Sequence, residues 1–305
     1  MHNYRFLIFY LIIPVAWVLL QNNEGVSMTL KPDNGEMSNT LGMTFVYVEH
    51  GKFMMGSPSN EPGRDDDEKQ YPVTLTKGFY MQTSEVTVGQ FRRFVQETGY
   101  KTDAETGGGS YVQAKRGWEK KPEAYWDSPG FSQTENHPVT CVSYNDARAF
   151  IKWLNQKEGG NGYQLPTEAQ WEYACRAGSL TALANGALFE LQSRKDDHLN
   201  EMGWYSFDMF MSHGGSITHE VAQKKPNSWG LYDMHGNVYE WCRSRYGAYP
   251  TGSATDPVGP LIGDFRVVRG GCWGDLAKDC RSANRGRCPE DYRDITIGFR
   301  IIKAP

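Results

Sequence analysis

The spacing of apolar residues predicts three helices between residues 87 and 178. Apolar side chains recur there at intervals of three and four residues, which places them on one face of a helix. Each predicted helix also follows a serine or threonine, whose hydroxyl can accept a hydrogen bond from the first turn. These N-cap residues are Thr87, Ser143 and Thr167. The first helix is expected to end at Gly99 and the third at Gly178, because glycine commonly closes a helix.

The first helix is expected to cover about residues 88–98. Its apolar face contains Phe91, Phe94 and Val95. The apolar stripe of the second helix contains Ala147, Phe150, Ile151 and Leu154. Asp146 and Gln170 stand three residues after the N-caps of the second and third helices, where a side chain can bond back to the cap backbone. All three helices are therefore expected to pack one face into a core.

Strand signals are short and scattered. Residues 45–48 and 52–55 flank His50-Gly51, and this pattern predicts two short paired strands. Later strand-like runs are residues 265–268 and 298–302. Glycine turns and aromatic residues fill most of the remainder, and no repeat of 20–50 residues occurs. We therefore expect a single, irregular α+β domain with little regular secondary structure.

The N-terminus carries an apolar segment, residues 6–20, after a short start that includes Arg5. Fifteen helical residues span only about 22 Å, less than the roughly 30 Å of a bilayer core. This favours a signal peptide over residues 1–27, and an uncleaved anchor is the alternative. Residues 28–40 are predicted to be a linker and residues 41–305 the domain. The domain is expected outside the cytoplasm, periplasmic or secreted, either released or tethered through residues 6–20.

Composition narrows the function classes. The net charge of −4 and a pI near 6.0 give no basic field for nucleic acid. The six cysteines can pair in an oxidising compartment. The chain contains no phosphate-binding loop, dinucleotide fingerprint or nucleophile elbow. The expected partner is instead a protein, peptide or glycan.

Several motifs stand in a fixed order along the C-terminal part of the chain. They are Leu165-Pro-Thr-Glu168, the stretch 230–241 (GLYDMHGNVYEW), Arg269-Gly-Gly-Cys-Trp273 and Gly298-Phe-Arg300. Together with shorter markers such as Glu85-Val-Thr87, they resemble the formylglycine-generating enzyme, or sulfatase-modifying factor, family. The resemblance covers roughly residues 42–302. It implies a variant of the C-type lectin fold.

The resemblance breaks at the residues that carry the family's redox chemistry. Oxidase members bind copper through a close pair of cysteines after the Gly-Gly-Ser motif, whereas residues 273–279 here contain no cysteine. Cys272 could supply one thiolate, and Cys242 or Cys288 another, but a soft Cu(I) ion needs two placed together. Copper is therefore not expected. The resemblance also implies a disulfide between Cys175 and Cys280.

A second family disulfide would fall at Ile151 and Ile301, and both positions are isoleucine. An apolar contact is therefore expected to replace that bond. Cys141, Cys242, Cys272 and Cys288 have no assigned disulfide partner.

Calcium is the cofactor that the resemblance implies. Asp233, Gly236, Val238 and Glu240 match a family calcium site, with carbonyl oxygens from the glycine and valine, and carboxylates with carbonyls suit this hard cation. The alternative is that Asp233 caps a turn and Glu240 pairs with an arginine such as Arg243. A second calcium site would lie near Asn200 and Glu201, with Asp208. No histidine pair has the spacing of the iron motif found in sulfoxide-forming relatives.

The candidate ligand pocket comprises Tyr239, Cys272, Trp273, Asp275 and Arg281, by alignment with the oxidase pocket. Catalytic residues are not assigned. Three functions stay open: a maturation or oxidative enzyme that lacks the classical cysteine-to-formylglycine activity, a non-catalytic peptide- or glycan-binding module, and a true formylglycine-generating oxidase with cysteines outside the motif. If it is active, the resemblance implies an oxidoreductase.

Overall fold

The computed structural model describes residues 36–114, 117–189, 191, 195–206 and 217–305. The strands are β1 Glu36–Ser38, β2 Thr44–Val48, β3 Gly51–Met55, β4 Tyr71–Leu75, β5 Phe79–Gln82, β6 Ser110–Ala114, β7 Gly117–Lys121, β8 Tyr163–Gln164, β9 Tyr239–Arg245, β10 Ala254–Thr255, β11 Phe265–Arg269, β12 Gly286–Pro289, β13 Ile297–Gly298 and β14 Ile302–Lys303. The helices are α1 Val88–Thr98, α2 Asp103–Thr106, α3 Tyr144–Lys157, α4 Glu168–Arg176 and α5 Asp197–Met202. A 3-10 helix covers Ala277–Cys280. These elements are short, as expected for an irregular α+β domain.

The described strands form four sheets. The largest has the order β1-β2-β5-β14-β8, with antiparallel pairing throughout. A three-stranded sheet has the order β10-β4-β3, and a four-stranded sheet the order β12-β11-β9-β13. Strands β6 and β7 form a separate hairpin. Strand β1 lies within the segment that was expected to be a linker, and it pairs with β2.

The three predicted helices form where the sequence places them. Each has a complete capping box: Thr87 with Gln90, Ser143 with Asp146, and Thr167 with Gln170. Helix α1 ends with Gly99 in the left-handed conformation, as predicted. Helix α4 ends earlier than predicted, because Ala177 already adopts the left-handed conformation (φ 46°) before Gly178. Local hydrogen-bonding chemistry thus determines where these helices begin.

The predicted faces of α1 and α3 meet in an aromatic core. The rings of Phe91 and Phe150 stack with centroids 5.9 Å apart, and Phe299 contacts both edge-on. Ile151 and Ile301 are buried in this same cluster. Their burial supports the expectation that apolar packing occupies the place of the second family disulfide.

The predicted pairing between residues 45–48 and 52–55 is wrong. Both segments are strands, but β2 pairs with β1 and β5, whereas β3 pairs with β4. Strand β2 has both edges occupied inside its sheet, so β3 cannot pair with it. The chain therefore crosses from one sheet to the next within residues 49–50.

The predicted strand over residues 298–302 is also divided. Its start belongs to β13, which pairs with β9, and its end belongs to β14, in the largest sheet. Residues 299–301 connect the two sheets, and Arg300 between them forms an ion pair with Glu240 of β9. This buried ion pair joins the two sheets at the point where the chain crosses.

The predicted signal peptide, including the apolar residues 6–20, lies outside the described residues. Across the part of the chain that the structure describes, no helix combines the length and apolar character needed to cross a membrane.

Candidate functional site

Four of the five predicted pocket residues line one cavity. Tyr239, Cys272, Trp273 and Asp275 border a space of about 420 Å³. Strand β9 supplies the tyrosine, and the loop after β11 supplies the other three. Cys288 on β12 borders the same cavity. These four predicted residues therefore share one concavity.

The loop of residues 272–275 is held by its own hydrogen bonds. The Cys272 amide donates to Asp275 Oδ2 at 3.0 Å, and the Asp275 amide donates to the Cys272 carbonyl at 3.1 Å. The Cys272 sulfur accepts from the Gly274 amide at 3.4 Å. The Trp273 indole donates to the Ile295 carbonyl at 3.4 Å. These bonds fix the side chains that face the cavity.

Burial controls the protonation of the cavity residues. It raises the pKa of the Cys272 thiol well above its usual value, and the nearby Asp275 carboxylate adds to this shift. Burial also raises the pKa of Asp275 to about 6, although hydrogen bonds from Tyr239 and Cys272 oppose the shift. The pKa of Tyr239 is raised by burial and by Asp275. At neutral pH the cavity therefore holds a protonated thiol beside a carboxyl group close to its titration range.

Cys288 supplies the second thiol of the cavity. It is only partly buried, and burial raises its pKa to about 12. Cys242, the other proposed copper ligand, lies in a different hydrophobic cluster, where its thiol contacts the Glu240 carbonyl at 3.9 Å. Of the two thiols considered as partners for Cys272, only Cys288 thus borders the same cavity.

The β6–β7 hairpin forms a further wall of the cavity. Gln113 and the half-exposed Trp118 lie on this hairpin and border the cavity. Gln113 and Trp273 also border a neighbouring cavity of about 580 Å³ that includes Phe131. Trp126 is buried in the aromatic core. The hairpin therefore contributes one exposed aromatic side chain to the site.

Arg281 does not belong to this site, which corrects the sequence prediction. Its guanidinium is fully buried and pairs with Glu61 at 2.8 Å and with Glu68 at 2.7 Å. Its Nε donates to the Lys278 carbonyl at 2.8 Å. Arg281 is not among the residues that line the cavity, and its guanidinium pairs instead with two buried carboxylates. Its role is structural.

The six cysteines form no disulfide in the structure. Cys175 is buried, with its sulfur 3.5 Å from the Ser282 hydroxyl and 3.7 Å from His235 Nε2. The other ring nitrogen of His235 lies 2.8 Å from the Cys280 carbonyl oxygen. The implied Cys175–Cys280 disulfide is thus not formed here, and it stays a prediction for the oxidised protein.

The predicted calcium ligands lie in one buried turn. Asp233 has a positive φ of 56° and Gly236 one of 106°. Asp233 Oδ2 accepts from the Ala222 amide at 2.7 Å, whereas its Oδ1 is buried without a partner. Both oxygens of Glu240 accept hydrogen bonds, from Arg300 at 2.7 Å and, for Oε2, also from Trp171 at 2.8 Å. Asp233 therefore fits a hard cation, and Glu240 is already satisfied.

Sequence reasoning missed Glu85 as part of this cluster. Its Oε1 accepts from the Asn237 side chain at 3.2 Å, and its Oε2 is buried without a partner. Burial, and then the charge of Asp233, raise its pKa well above the usual value. The Glu85-Val-Thr87 motif was noted only as a family marker and a helix cap. Two unsatisfied carboxylate oxygens thus lie in one buried region.

The second predicted calcium site receives little support. Asn200 and Glu201 lie on α5, and Glu201 pairs with Lys225 at 3.2 Å on the surface. Asp208 lies outside the described residues. Within the described ranges, no three or more histidine, cysteine or acidic side chains are grouped as metal ligands.

Comparisons with known proteins give a consistent result. A sequence model of the Sulfatase-modifying factor enzyme 1-like domain matches residues 31–305. The chain is 32% identical over 282 residues to the formylglycine-generating enzyme of Mus musculus, covering 84% of this chain and 73% of that protein. It is also 32% identical over 305 residues to inactive C-alpha-formylglycine-generating enzyme 2 of the same species, covering 88% of both chains.

Among solved structures, PvdO from Pseudomonas aeruginosa resembles this chain with a TM-score of 0.72 and 28% identity. The alignment covers 89% of this chain and 98% of that one. This similarity confirms the predicted fold class, an α+β variant of the C-type lectin fold with little regular secondary structure.

Proposed function

The chain belongs to the sulfatase-modifying factor family, and we propose that it is an extracytoplasmic maturation factor without classical formylglycine-generating activity. It would bind a peptide segment of its substrate in the Trp273 cavity. The apolar N-terminal residues 6–20 support the extracytoplasmic location. Identity alone does not separate activities in this family, because an enzyme and a relative named inactive are both 32% identical to the chain.

One observation supports this proposal: Cys272 is buried in the cavity wall, where the loop of residues 272–275 holds both its amide and its sulfur in hydrogen bonds. Cys272 is buried beside the Asp275 carboxyl group, which disfavours a thiolate. The thiolate is the nucleophile and the metal ligand, so such a cysteine is poorly suited to either role. Residues 273–279 supply no further cysteine. The cavity is thus better suited to binding than to copper-thiolate oxidation.

The group best placed for chemistry is Asp275. A general acid or base works best when its pKa lies near the working pH, and burial raises the pKa of Asp275 to about 6. The Tyr239 hydroxyl donates to this carboxyl group and would orient it toward a bound ligand. If the protein is catalytic, proton transfer through Asp275 is the step that its cavity supports.

Calcium is the cofactor we propose for the buried turn. Asp233 Oδ1 and Glu85 Oε2 lack partners, and backbone carbonyls of Gly236 and Val238 would complete an oxygen ligand set. Calcium would stabilise the loop that leads into β9 and its Tyr239. Thermal unfolding should therefore shift upward with added Ca²⁺ relative to EDTA, and Asp233→Asn should abolish that shift. An unchanged melting temperature in the native protein would refute calcium binding.

The experiment on function uses the full chain with a Cys-x-Pro-x-Arg peptide and Cu(I). We expect no aldehyde product by mass spectrometry. The same peptide, with serine in place of its cysteine, is then titrated while tryptophan fluorescence is recorded, since Trp118 and Trp273 border the cavity. Binding in that assay without aldehyde formation is the expected result.

Three variants sharpen the result. Cys272→Ser and Cys288→Ser each remove one cavity thiol, and Cys242→Ala removes a thiol that lies outside the cavity. Aldehyde formation that is lost in both serine variants and kept in Cys242→Ala would overturn the proposal and identify a formylglycine-generating oxidase. Absence of both binding and turnover would refute the cavity as a peptide site.

A further inference from the structure

A second groove lies on the outer face of α3, and it shares no residue with the Trp273 cavity. Its volume is about 690 Å³. Arg148, Lys152 and Arg243 line it, and its lining contains no acidic side chain. Grooves of this size accommodate small ligands. The groove therefore concentrates positive charge without a counterion from its own walls.

Arg243 lies on β9 beside this groove; it is half-buried, and it lacks the carboxylate partners that the fully buried Arg269 and Arg300 have. Its Nε is buried without a hydrogen bond, and no carboxylate of the described residues reaches its guanidinium. The Nε of Arg269 also lacks a hydrogen bond, but the guanidinium of Arg269 pairs with Glu172, and that of Arg300 pairs with Glu240. Burial lowers the pKa of Arg243, whereas the pKa values of Arg269 and Arg300 are raised. Partial desolvation of a charge that has no counterion costs free energy, and a bound anion would offset that cost.

The rim of the groove adds to the same field. Arg148 and Lys152 are exposed and one helical turn apart on α3, a spacing at which like charges repel. The nearby Glu290 cannot neutralise them, because Arg245 and Arg266 already hold it. An anion bound between the rim and Arg243 would relieve both the repulsion and the buried charge.

Residues with amide side chains also line the groove. Asn155 is hydrogen-bonded to the backbone of Tyr163, whereas Gln156, Asn161 and Gln164 are further lining residues of this type. An amide both donates and accepts hydrogen bonds, as does a sugar hydroxyl. We propose that this groove binds an acidic saccharide, with a sulfate or carboxylate group on Arg243 and hydroxyl groups on the amides.

Calorimetric titration of the full chain tests this proposal. The probes are a sulfated heparin disaccharide, digalacturonate, and maltose as the neutral control. We expect one of the two acidic sugars to bind, and the affinity to fall as salt is added. The sugar that binds distinguishes sulfate from carboxylate recognition. No binding of either acidic sugar at millimolar concentration would overturn the proposal.

Variants locate the binding. Arg243→Gln should lower the affinity for the acidic sugar at least tenfold. The matched control Arg93→Gln should leave that affinity unchanged, because Arg93 is an exposed residue of α1 paired with Glu97. Equal affinities in both variants would place binding elsewhere and refute the groove. Tighter binding of hexaglutamate, or equal binding of free sulfate, would refute a saccharide as the ligand.

A stability measurement separates this role from a structural one. Arg243→Met should leave the urea midpoint of unfolding unchanged or raise it, since the arginine has no internal partner to lose. A lowered midpoint would show that Arg243 supports the fold and would count against the proposal.

Discussion

Replacing Arg281 with methionine should destabilise the fold strongly and leave ligand binding at the Trp273 cavity intact. The guanidinium is fully buried, and it makes three hydrogen bonds of 2.7–2.8 Å to Glu61 and Glu68. Burial alone raises carboxyl pKa values, yet Arg281 holds the pKa of Glu68 below its usual value. Glu68 is therefore charged in the native state and depends on this partner.

The magnitude follows from the charge left behind. Breaking a buried ion pair by removing one partner costs about 3–5 kcal/mol, whereas an exposed pair contributes about 0–1 kcal/mol. With an m-value near 3 kcal/mol per molar urea, the unfolding midpoint should fall by about 1 M or more. Arg93→Met is the matched control, because Arg93 pairs with Glu97 on the surface.

Urea denaturation followed by tryptophan fluorescence measures the effect. The double variant Arg281→Met with Glu68→Gln should lose less stability than the sum of the two single variants, because it leaves no unpaired charge on Glu68. A loss below about 1 kcal/mol for Arg281→Met would refute the reasoning. So would a loss of cavity binding at unchanged stability, which would return Arg281 to the ligand site.

Four further predictions concern the pH dependence of stability, the β6–β7 hairpin and the thiols. Burial raises the pKa of Asp275 to about 6, so its contribution of about 3 kcal/mol to stability is present below pH 4 and is lost as the pH rises to about 6. Asp275→Asn should remove this decline of the urea midpoint with rising pH. Burial lowers the pKa of His235 to about 4, so its contribution of about 3 kcal/mol to stability is lost as the pH falls from about 6.5 to 4. His235→Gln should remove this loss, so that the urea midpoint falls less in that pH range. Gly109→Ala should reduce the fluorescence change on ligand binding, because a Cβ at this position would lie 1.7 Å from a backbone carbonyl oxygen of β7. Gly108→Ala is the control: its φ is similarly positive but the space around it is open, so it should cost only about 1–2 kcal/mol of stability. Iodoacetamide should label Cys288 first in the native protein, since the other five cysteines are buried, and mass mapping that finds Cys272 labelled first would contradict this.

Features with a local cause could be predicted from the sequence. Thr87, Ser143 and Thr167 each cap a helix through a partner three residues away, so the signal and its structural effect lie within one turn. Cys272 and Trp273 were proposed as pocket residues because the sequence motifs around them align directly with those of the family. What these motifs share is that the residues defining the feature are neighbours in the chain.

Features that depend on distant partners could not be predicted. The pairing of β2 with β5 rather than β3 is decided by which strand edges are already occupied. Arg281 lies close in sequence to the cavity loop, but its side chain turns toward Glu68, which is far away in the chain. Neither the periodicity of the sequence nor the spacing of its motifs predicts this contact. Glu85 was missed for the same reason, because Asp233, whose charge acts on it, is also far away in the sequence.

The buried arginines explain how a chain with so little regular structure satisfies its backbone. Short strands leave many carbonyl groups in loops, and a buried carbonyl needs a donor. Arg293 donates to the carbonyls of Gly107 and Asp291, and Arg300 donates to that of Tyr232. The planar guanidinium suits this task because it carries five donors in a fixed arrangement. Each such arginine thus replaces hydrogen bonds that a longer sheet would have supplied.

The other partly buried arginines of the described residues can be compared with these two by the hydrogen bonds and ion pairs that they form. Arg293 and Arg300 are retained because they close loops, so their removal should cost stability. Arg243 donates to no carbonyl and pairs with no carboxylate there. Fold stability therefore does not explain why Arg243 is partly buried, whereas binding of an external anion does. If Arg243→Met behaves like Arg300→Met in urea, this distinction between structural and ligand-binding arginines is wrong.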